Sequence, residues 1–301
     1  MNAPVSAPGG ATAADLRSGK GSGNENFPVA SRLVSARHRA IILAFYEFVR
    51  IADDIADHAS LAPEQKLIHL DSLGASLVGT SDRDAAGVTL RTALHERGLS
   101  PQHALDLLTA FRLDVTKLRY ADWDDLIGYC RYSAMPVGRF VLDLHGEDRA
   151  CWPANDALCA ALQIINHLQD CGKDYRDLDR VYVPQDALAR AGARVEDLGQ
   201  ARASPALLAC LHGLAQRTAG LLAESTHFPD QINDARLALE VSVIETLARH
   251  LVGLLQVRDP LSERVHLGKI GVAALGTLGI TRGLLGRLFR TRSKPPHTAN
   301  P

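Results

Sequence analysis

Two stretches of the chain carry carboxylates at spacings that suit chemistry. The first is Tyr46-Glu-Phe-Val-Arg50-Ile-Ala-Asp53-Asp54-Ile-Ala-Asp57. Steps of four, three and four place Tyr46, Arg50, Asp53 and Asp57 on one face of a helix. Carboxylates one turn apart repel each other, so this face needs compensation. Arg50 neutralises one charge, whereas a divalent cation neutralises both. The flanking Phe45, Phe48, Ile51 and Ile55 are apolar and predict a helix packed into the core. A solvated acidic face with an arginine partner is the competing reading of this segment alone. The second stretch is Gln163-Ile-Ile-Asn166-His-Leu-Gln-Asp170-Cys-Gly-Lys-Asp174. Steps of three, four and four again align Gln163, Asn166, Asp170 and Asp174. Their neighbours Leu162, Ile164, Ile165 and Leu168 are apolar, and a polar stripe inside an apolar helix faces a polar cavity or a ligand. Three of its four residues are types that favour caps and turns over helix interiors.

Taken together, the two helices can face each other across a bundle. Hard oxygen donors with open positions suit Mg²⁺, which keeps several waters and is completed by substrate phosphate oxygens. The chemistry that follows is ionisation of an allylic or similarly activated diphosphate. Lys173, Arg176 and Arg180 come after the second motif and are candidates to stabilise the departing charge; ordinary solvated cations are the alternative.

Those motifs must be held by helices. Apolar residues recur at three- and four-residue spacing from Asn24 to about Gln256, β-branched alternation is almost absent, and the expected fold is all-α with eight to ten helices. Breaks fall at Leu61-Ala62-Pro63, Ser100-Pro101, Trp152-Pro153, Val183-Pro184 and Ser204-Pro205, several of which read as helix starts. The 301 residues are 46% hydrophobic, enough for a substantial core. The 33 basic residues nearly balance the 34 acidic ones, which argues against a globally basic nucleic-acid binder. The five cysteines form no CxxC pair, arguing against a disulfide framework or structural zinc and for a reducing compartment. No nucleotide-binding fingerprint is present.

The charge balance hides an asymmetry. Glu263 is the last acidic residue, and seven basic residues follow it, so residues 264–301 carry +7 and the remainder 26 − 34 = −8. The stretch 264–293 mixes apolar residues, glycines and arginines and resembles an interfacial segment able to meet a membrane surface; a last helix packed on the domain is the other reading. Residues 1–23 are rich in Gly, Ala, Ser and Pro and read as a disordered leader without a signal-peptide core. The expected organisation is a leader over 1–23, a helical domain over 24–260 and a basic apolar tail over 261–301. The expected location is cytoplasmic and peripheral at the inner face of the cell membrane.

DxxxD on two helices with QxxN before the second resembles the squalene/phytoene synthase family over about residues 24–260. Asn26-Phe27-Pro28-Val29-Ala30-Ser31, ADDIAD (52–57), YCRYSAMPVGR (129–139) and INHLQDCGKDYRDLDRVYVP (165–184) are similar to its bacterial hydroxysqualene synthases of hopanoid pathways. The resemblance implies a single-domain isoprenoid-synthase-like bundle around a central cavity. It implies Mg²⁺ at Asp53, Asp57, Asn166, Asp170 and Asp174, with Tyr46, Arg50 and Gln163 completing the catalytic set. It also implies presqualene diphosphate or another prenyl diphosphate as substrate, with other enzymes of the pathway as partners. Val137-Gly138 matches a helix kink beside the substrate, and Phe45, Ile51, Val137, Phe140, Val141, Leu162 and Ile165 are candidates to line the hydrocarbon cavity. Two departures stand out. Met135 replaces an expected Asn in the cavity wall. One extra residue between Asp174 and Tyr182 leaves the alignment of Arg176, Arg180 and Tyr182 open. Three functions remain open: a water-capturing lyase, favoured by the motif detail; a head-to-head condensing synthase making presqualene diphosphate, dehydrosqualene or phytoene; and a non-catalytic lipid-binding scaffold, which the complete aspartate motifs disfavour.

Overall fold

A computed structural model describes residues 36–292, without the side chains of 269, 270 and 285–292. The expected leader and the Asn26–Ser31 motif lie outside the described residues. Among those described there are twelve α-helices and no strand, only an isolated bridge between Arg119 and Val181. They are α1 (Ala36–Asp57), α2 (Pro63–Val78), α3 (Ala85–Glu96), α4 (Gln102–Thr116), α5 (Trp123–Ser133), α6 (Met135–His145), α7 (Trp152–Leu178), α8 (Gln185–Ala191), α9 (Pro205–Glu224), α10 (Phe228–Gln231), α11 (Ala235–Leu255) and α12 (Lys269–Arg292). The count exceeds the expected eight to ten because α8 and α10 are only seven and four residues long.

Local sequence explains most boundaries. Ser204 accepts a hydrogen bond from Leu207 N and Pro205 opens α9; Asp122 and Asp234 cap α5 and α11 in the same way. Gly79, Gly146 and Gly192 end α2, α6 and α8 in the left-handed conformation. The break expected at Val137-Gly138 falls earlier. It lies at Ala134, between α5 and α6, with Pro136 in the first turn of α6. Gly138 has a different duty: a Cβ there would sit 2.0 Å from Asn155 Oδ1, so the glycine lets α6 lie against α7.

Two clusters of buried side chains divide the interior. Residues of α1–α4, including Phe48, Ile51, Leu73 and Leu107, form one, joined by Phe140 of α6. Residues of α5, α7, α9 and α11, including Leu126, Ile164, Leu211 and Leu251, form the other. The first acidic motif therefore hangs on one core and the second on the other. Among the described residues one stretch, Pro205–Gln231, is long and apolar enough to cross a bilayer, yet its Leu207, Leu211, Leu214 and Leu222 are core residues.

Candidate active site

Where the two cores meet, a cavity of about 200 Å³ opens. The last turns of α1 contribute Asp53 and Asp57. From α7 come Gln163, Asn166, His167, Asp170, Asp174 and Leu178, a continuous stripe at helical spacing. Ala110, Phe111 and Asp114 of α4, Tyr129 and Ser133 of α5, and Arg180 and Tyr182 beyond α7 close the wall. Six of the eight residues expected to act together thus share one cavity. Tyr46 and Arg50 are not among its lining residues. Arg50 stands behind the wall, donating to Asp53 Oδ2 at 2.7 Å and to Asp54 Oδ1 at 2.9 Å. Tyr46 is half-buried one turn before it.

The charge repulsion read from the first motif is met by two guanidinium groups. Arg50 serves Asp53, and Arg180 Nη1 donates to Asp57 Oδ1 at 2.5 Å. Arg180 also donates from Nη2 to the Ala56 carbonyl and from Nε to the Asp114 carbonyl, each at 2.9 Å. It therefore ties the ends of α1 and α4 to the chain after α7. Asp179 makes this approach possible. It ends α7 at φ 52°, the left-handed region, and Arg119 Nη2 bonds its carboxylate at 2.5 Å. Lys173 and Arg176, the other cations considered for the site, are exposed, and neither lines the cavity.

The second pair has softer partners. The ion-pair contacts described for Asp170 and Asp174 are with imidazoles: His266 Nε2 at 3.9 Å and His167 Nδ1 at 4.0 Å. Burial, reinforced by the neighbouring Asp57, pushes Asp53 up to about 7 against the pull of Arg50. Burial and then Asp174 raise Asp170 in the same direction. These are carboxylates whose charge is under-compensated in the metal-free protein.

Deeper in the wall lies a group that sequence reasoning missed. Asp114 is buried and accepts from Tyr129 Oη at 3.0 Å and from Tyr182 Oη at 2.7 Å. Burial raises its pKa, opposed by Arg180 and the two phenols. His167 stacks on Tyr182 with ring centroids 3.5 Å apart, and Gln163 Nε2 lies 3.1 Å from His167 Nε2. The signal for Asp114 was a carboxylate in the apolar run Leu107-Leu108-Thr-Ala110-Phe111-Arg-Leu113. Tyr129 and His167 sit inside stretches already quoted, without a spacing rule to single them out.

The apolar lining departs from expectation. Ala110, Phe111 and Leu178 supply it, and none of the seven residues proposed for the hydrocarbon wall does. Phe45 and Phe140 instead stack on each other, centroids 3.9 Å apart and planes 5° from parallel. Ile51 and Ile165 are core, while Val137 is 41% exposed. Met135 is likewise buried in the α5–α7 core, away from the cavity. The ring pair is part of the α1–α4 core, with Phe45 5% and Phe140 2% exposed.

The donors fit Mg²⁺. Hard carboxylate and amide oxygens line the cavity, and among the described residues no three carboxylate, imidazole or thiol groups gather into an all-protein cage. That is the arrangement Mg²⁺ prefers, one or two carboxylates per ion with water and phosphate oxygens completing the shell.

The chain belongs to the squalene/phytoene synthase family, whose model matches residues 21–270. Within it, the chain is 61% identical to a hydroxysqualene synthase of Rhodopseudomonas palustris, over 89% of this chain and 92% of that one. A hydroxysqualene synthase of Zymomonas mobilis is 51% identical over 88% of this chain and 92% of that protein. Among solved structures, squalene synthase HpnC from Alicyclobacillus acidocaldarius superposes with a TM-score of 0.63 at 28% identity, covering 85% of this chain and 88% of that one.

Proposed function

We propose that this protein is a lyase that converts presqualene diphosphate and water to hydroxysqualene and diphosphate. The observation that carries the reading is the facing pair of DxxxD helices around one polar cavity, in a chain 61% identical to a hydroxysqualene synthase. The C–O bond at the cyclopropylcarbinyl carbon breaks and its electron pair leaves with the diphosphate. The cation rearranges with opening of the three-membered ring. Water then bonds to the rearranged carbon and loses a proton to solvent or to the diphosphate. Mg²⁺, when bound, supplies the positive charge that makes diphosphate a competent leaving group.

Asp53, Asp57, Asn166, Asp170 and Asp174 are the residues that would hold the metal. Arg180 adds a fixed positive charge at the end of the cavity where the leaving group accumulates charge. Arg50 positions Asp53 and is not itself in contact with the substrate volume. Gln163 lines the cavity, carries no charge and is oriented by His167, which makes it the group that holds the attacking water; Tyr46, which is not a lining residue, is the weaker candidate. Tyr129 and His167 line the cavity and present aromatic surface to the developing cation, while Tyr182 is stacked between His167 and Tyr120. The 200 Å³ cavity takes the diphosphate and the reacting carbons. An enzyme handling C30 chains on both sides of its reaction works at a bilayer surface reached from the cytoplasm.

The test is product analysis with Mg²⁺ and either presqualene diphosphate or farnesyl diphosphate, with and without NADPH. Hydroxysqualene and diphosphate are expected from presqualene diphosphate in equal amounts, with no effect of NADPH. Consumption of two farnesyl diphosphates without alcohol from presqualene diphosphate would establish the condensing reaction instead.

A further inference from the structure

Helix α12 is built inside out. An ordinary surface helix turns its large apolar side chains to the core. Here the glycines face the protein. A Cβ at Gly279 would lie 2.7 Å from Val243 Cα of α11, and one at Gly283 would lie 2.7 Å from Ser242 Oγ. Gly276 faces the same ridge, 3.9 Å from Val243 Cγ1. Docking on α11 is therefore backbone against backbone and consumes the glycine face.

The opposite face points outward. Leu278 is 57% exposed and Leu284 49%, and Ala273, Ala274, Thr277 and Thr281 are exposed as well. From Ile270 to Thr281 there is no charged residue, and in sequence Leu285 and Leu288 follow one and four positions after Leu284. Positive charge collects at both ends of this run: Arg264 and Lys269 before it; Arg282, Arg287, Arg290, Arg292 and Lys294 after it. No acidic residue follows Glu263.

We infer that the outward face of α12, centred on Leu278 and Leu284, docks the protein on an anionic lipid bilayer. The leucines enter the acyl boundary and the arginines meet lipid phosphates. Charge selects the occupant. A second copy would bring its own +7 segment to the contact, whereas an anionic leaflet neutralises it. The helix is too short in uninterrupted apolar length to cross the bilayer, so it lies along the surface. The inference requires a lipid surface but not the hydroxysqualene reaction.

The whole chain is mixed with sedimentable vesicles of phosphatidylcholine alone or with about one third phosphatidylglycerol, without substrate. Wild-type protein is expected to sediment with the anionic vesicles, to bind neutral ones far less, and to be released by salt. The double variant Leu278→Glu/Leu284→Glu should lose anionic binding by more than about ten-fold. Arg282→Gln should weaken it about five-fold. The substituted side chains are exposed, so helicity and thermal unfolding should match wild type. Failure of wild type to bind anionic vesicles at low salt overturns the inference, as does wild-type binding by the double variant. So does self-association of the wild type in lipid-free buffer that the same two substitutions abolish, since the face would then belong to a second copy. Because binding is read without turnover, neither result depends on which diphosphate the enzyme consumes.

Discussion

Asp53 shows how a single carboxylate can work against the fold that holds it. Its folded value near 7 lies above the ordinary 3.8. Between those values the folded protein keeps a proton that the unfolded chain has lost, so this contribution to stability is full below about pH 4 and fades as pH rises through 7. In metal-free protein, Asp53→Asn should therefore gain thermal stability over wild type at pH 8 and lose that advantage towards pH 4. Calorimetry across the range measures it, and parallel curves would show that Asp53 is ionised throughout. The same variant, and Asp170→Asn, should lower turnover at least about 100-fold with helicity retained. At Gln163 the expectation concerns product choice. Gln163→Leu should still release diphosphate but yield less alcohol per diphosphate, whereas Tyr46→Phe should leave that ratio nearly intact. An unchanged ratio in Gln163→Leu would remove it as the water holder.

Helix ends and close approaches deliver these groups to the cavity. Asp179 is the only non-glycine with positive φ among the described residues, and it turns the chain so that Arg180 reaches Asp57. Asp179→Gly should keep the fold and the Arg180 contacts. Asp179→Val, β-branched in the left-handed region, should cost about 1–3 kcal/mol and weaken diphosphate binding with it. Gly138→Ala tests a different constraint. The new methyl would collide with Asn155, itself 2% exposed, and with Cys159. A loss of about 1–3 kcal/mol is expected from such overpacking, seen as an earlier denaturant midpoint. An unchanged midpoint would mean that α6 can move away from α7 freely.

For the molecule as a whole, the site is a joint. α1 belongs to one buried cluster and α7 to the other, and the aspartates of both helices line the same cavity. A ligand that needs both pairs therefore stabilises the association of the two halves. Mg²⁺ with inorganic diphosphate at about 100 times its Kd should add about 2.7 kcal/mol, a rise in Tm of several degrees. Neither component alone should match it, and Asp174→Asn should abolish most of the rise. An equal shift from Mg²⁺ alone would mean that the protein holds the ion without phosphate oxygens.

Much of this was legible in the chain because helical periodicity is a local property. The four aspartates, Gln163 and Asn166 share faces by spacing alone, and the apolar residues around them already demanded buried helices. Proline starts and glycine ends marked most boundaries for the same reason: each depends on the dihedral angles of one or two residues. What spacing cannot encode is which helices meet. Asp114 became a site residue only when α4 and α5 brought Tyr129 to it and the chain after α7 brought Tyr182. Arg180 was separated from the exposed Lys173 and Arg176 only by the left-handed turn at Asp179. Phe45 and Phe140 were equally apolar whether lining a cavity or packing in the core, and only their mutual stacking decided. The glycines of the last helix could have faced either way until α11 took them. Identity and spacing dictate what one helix can present, while packing between helices, set by shape and burial over long sequence distances, decides what that face meets.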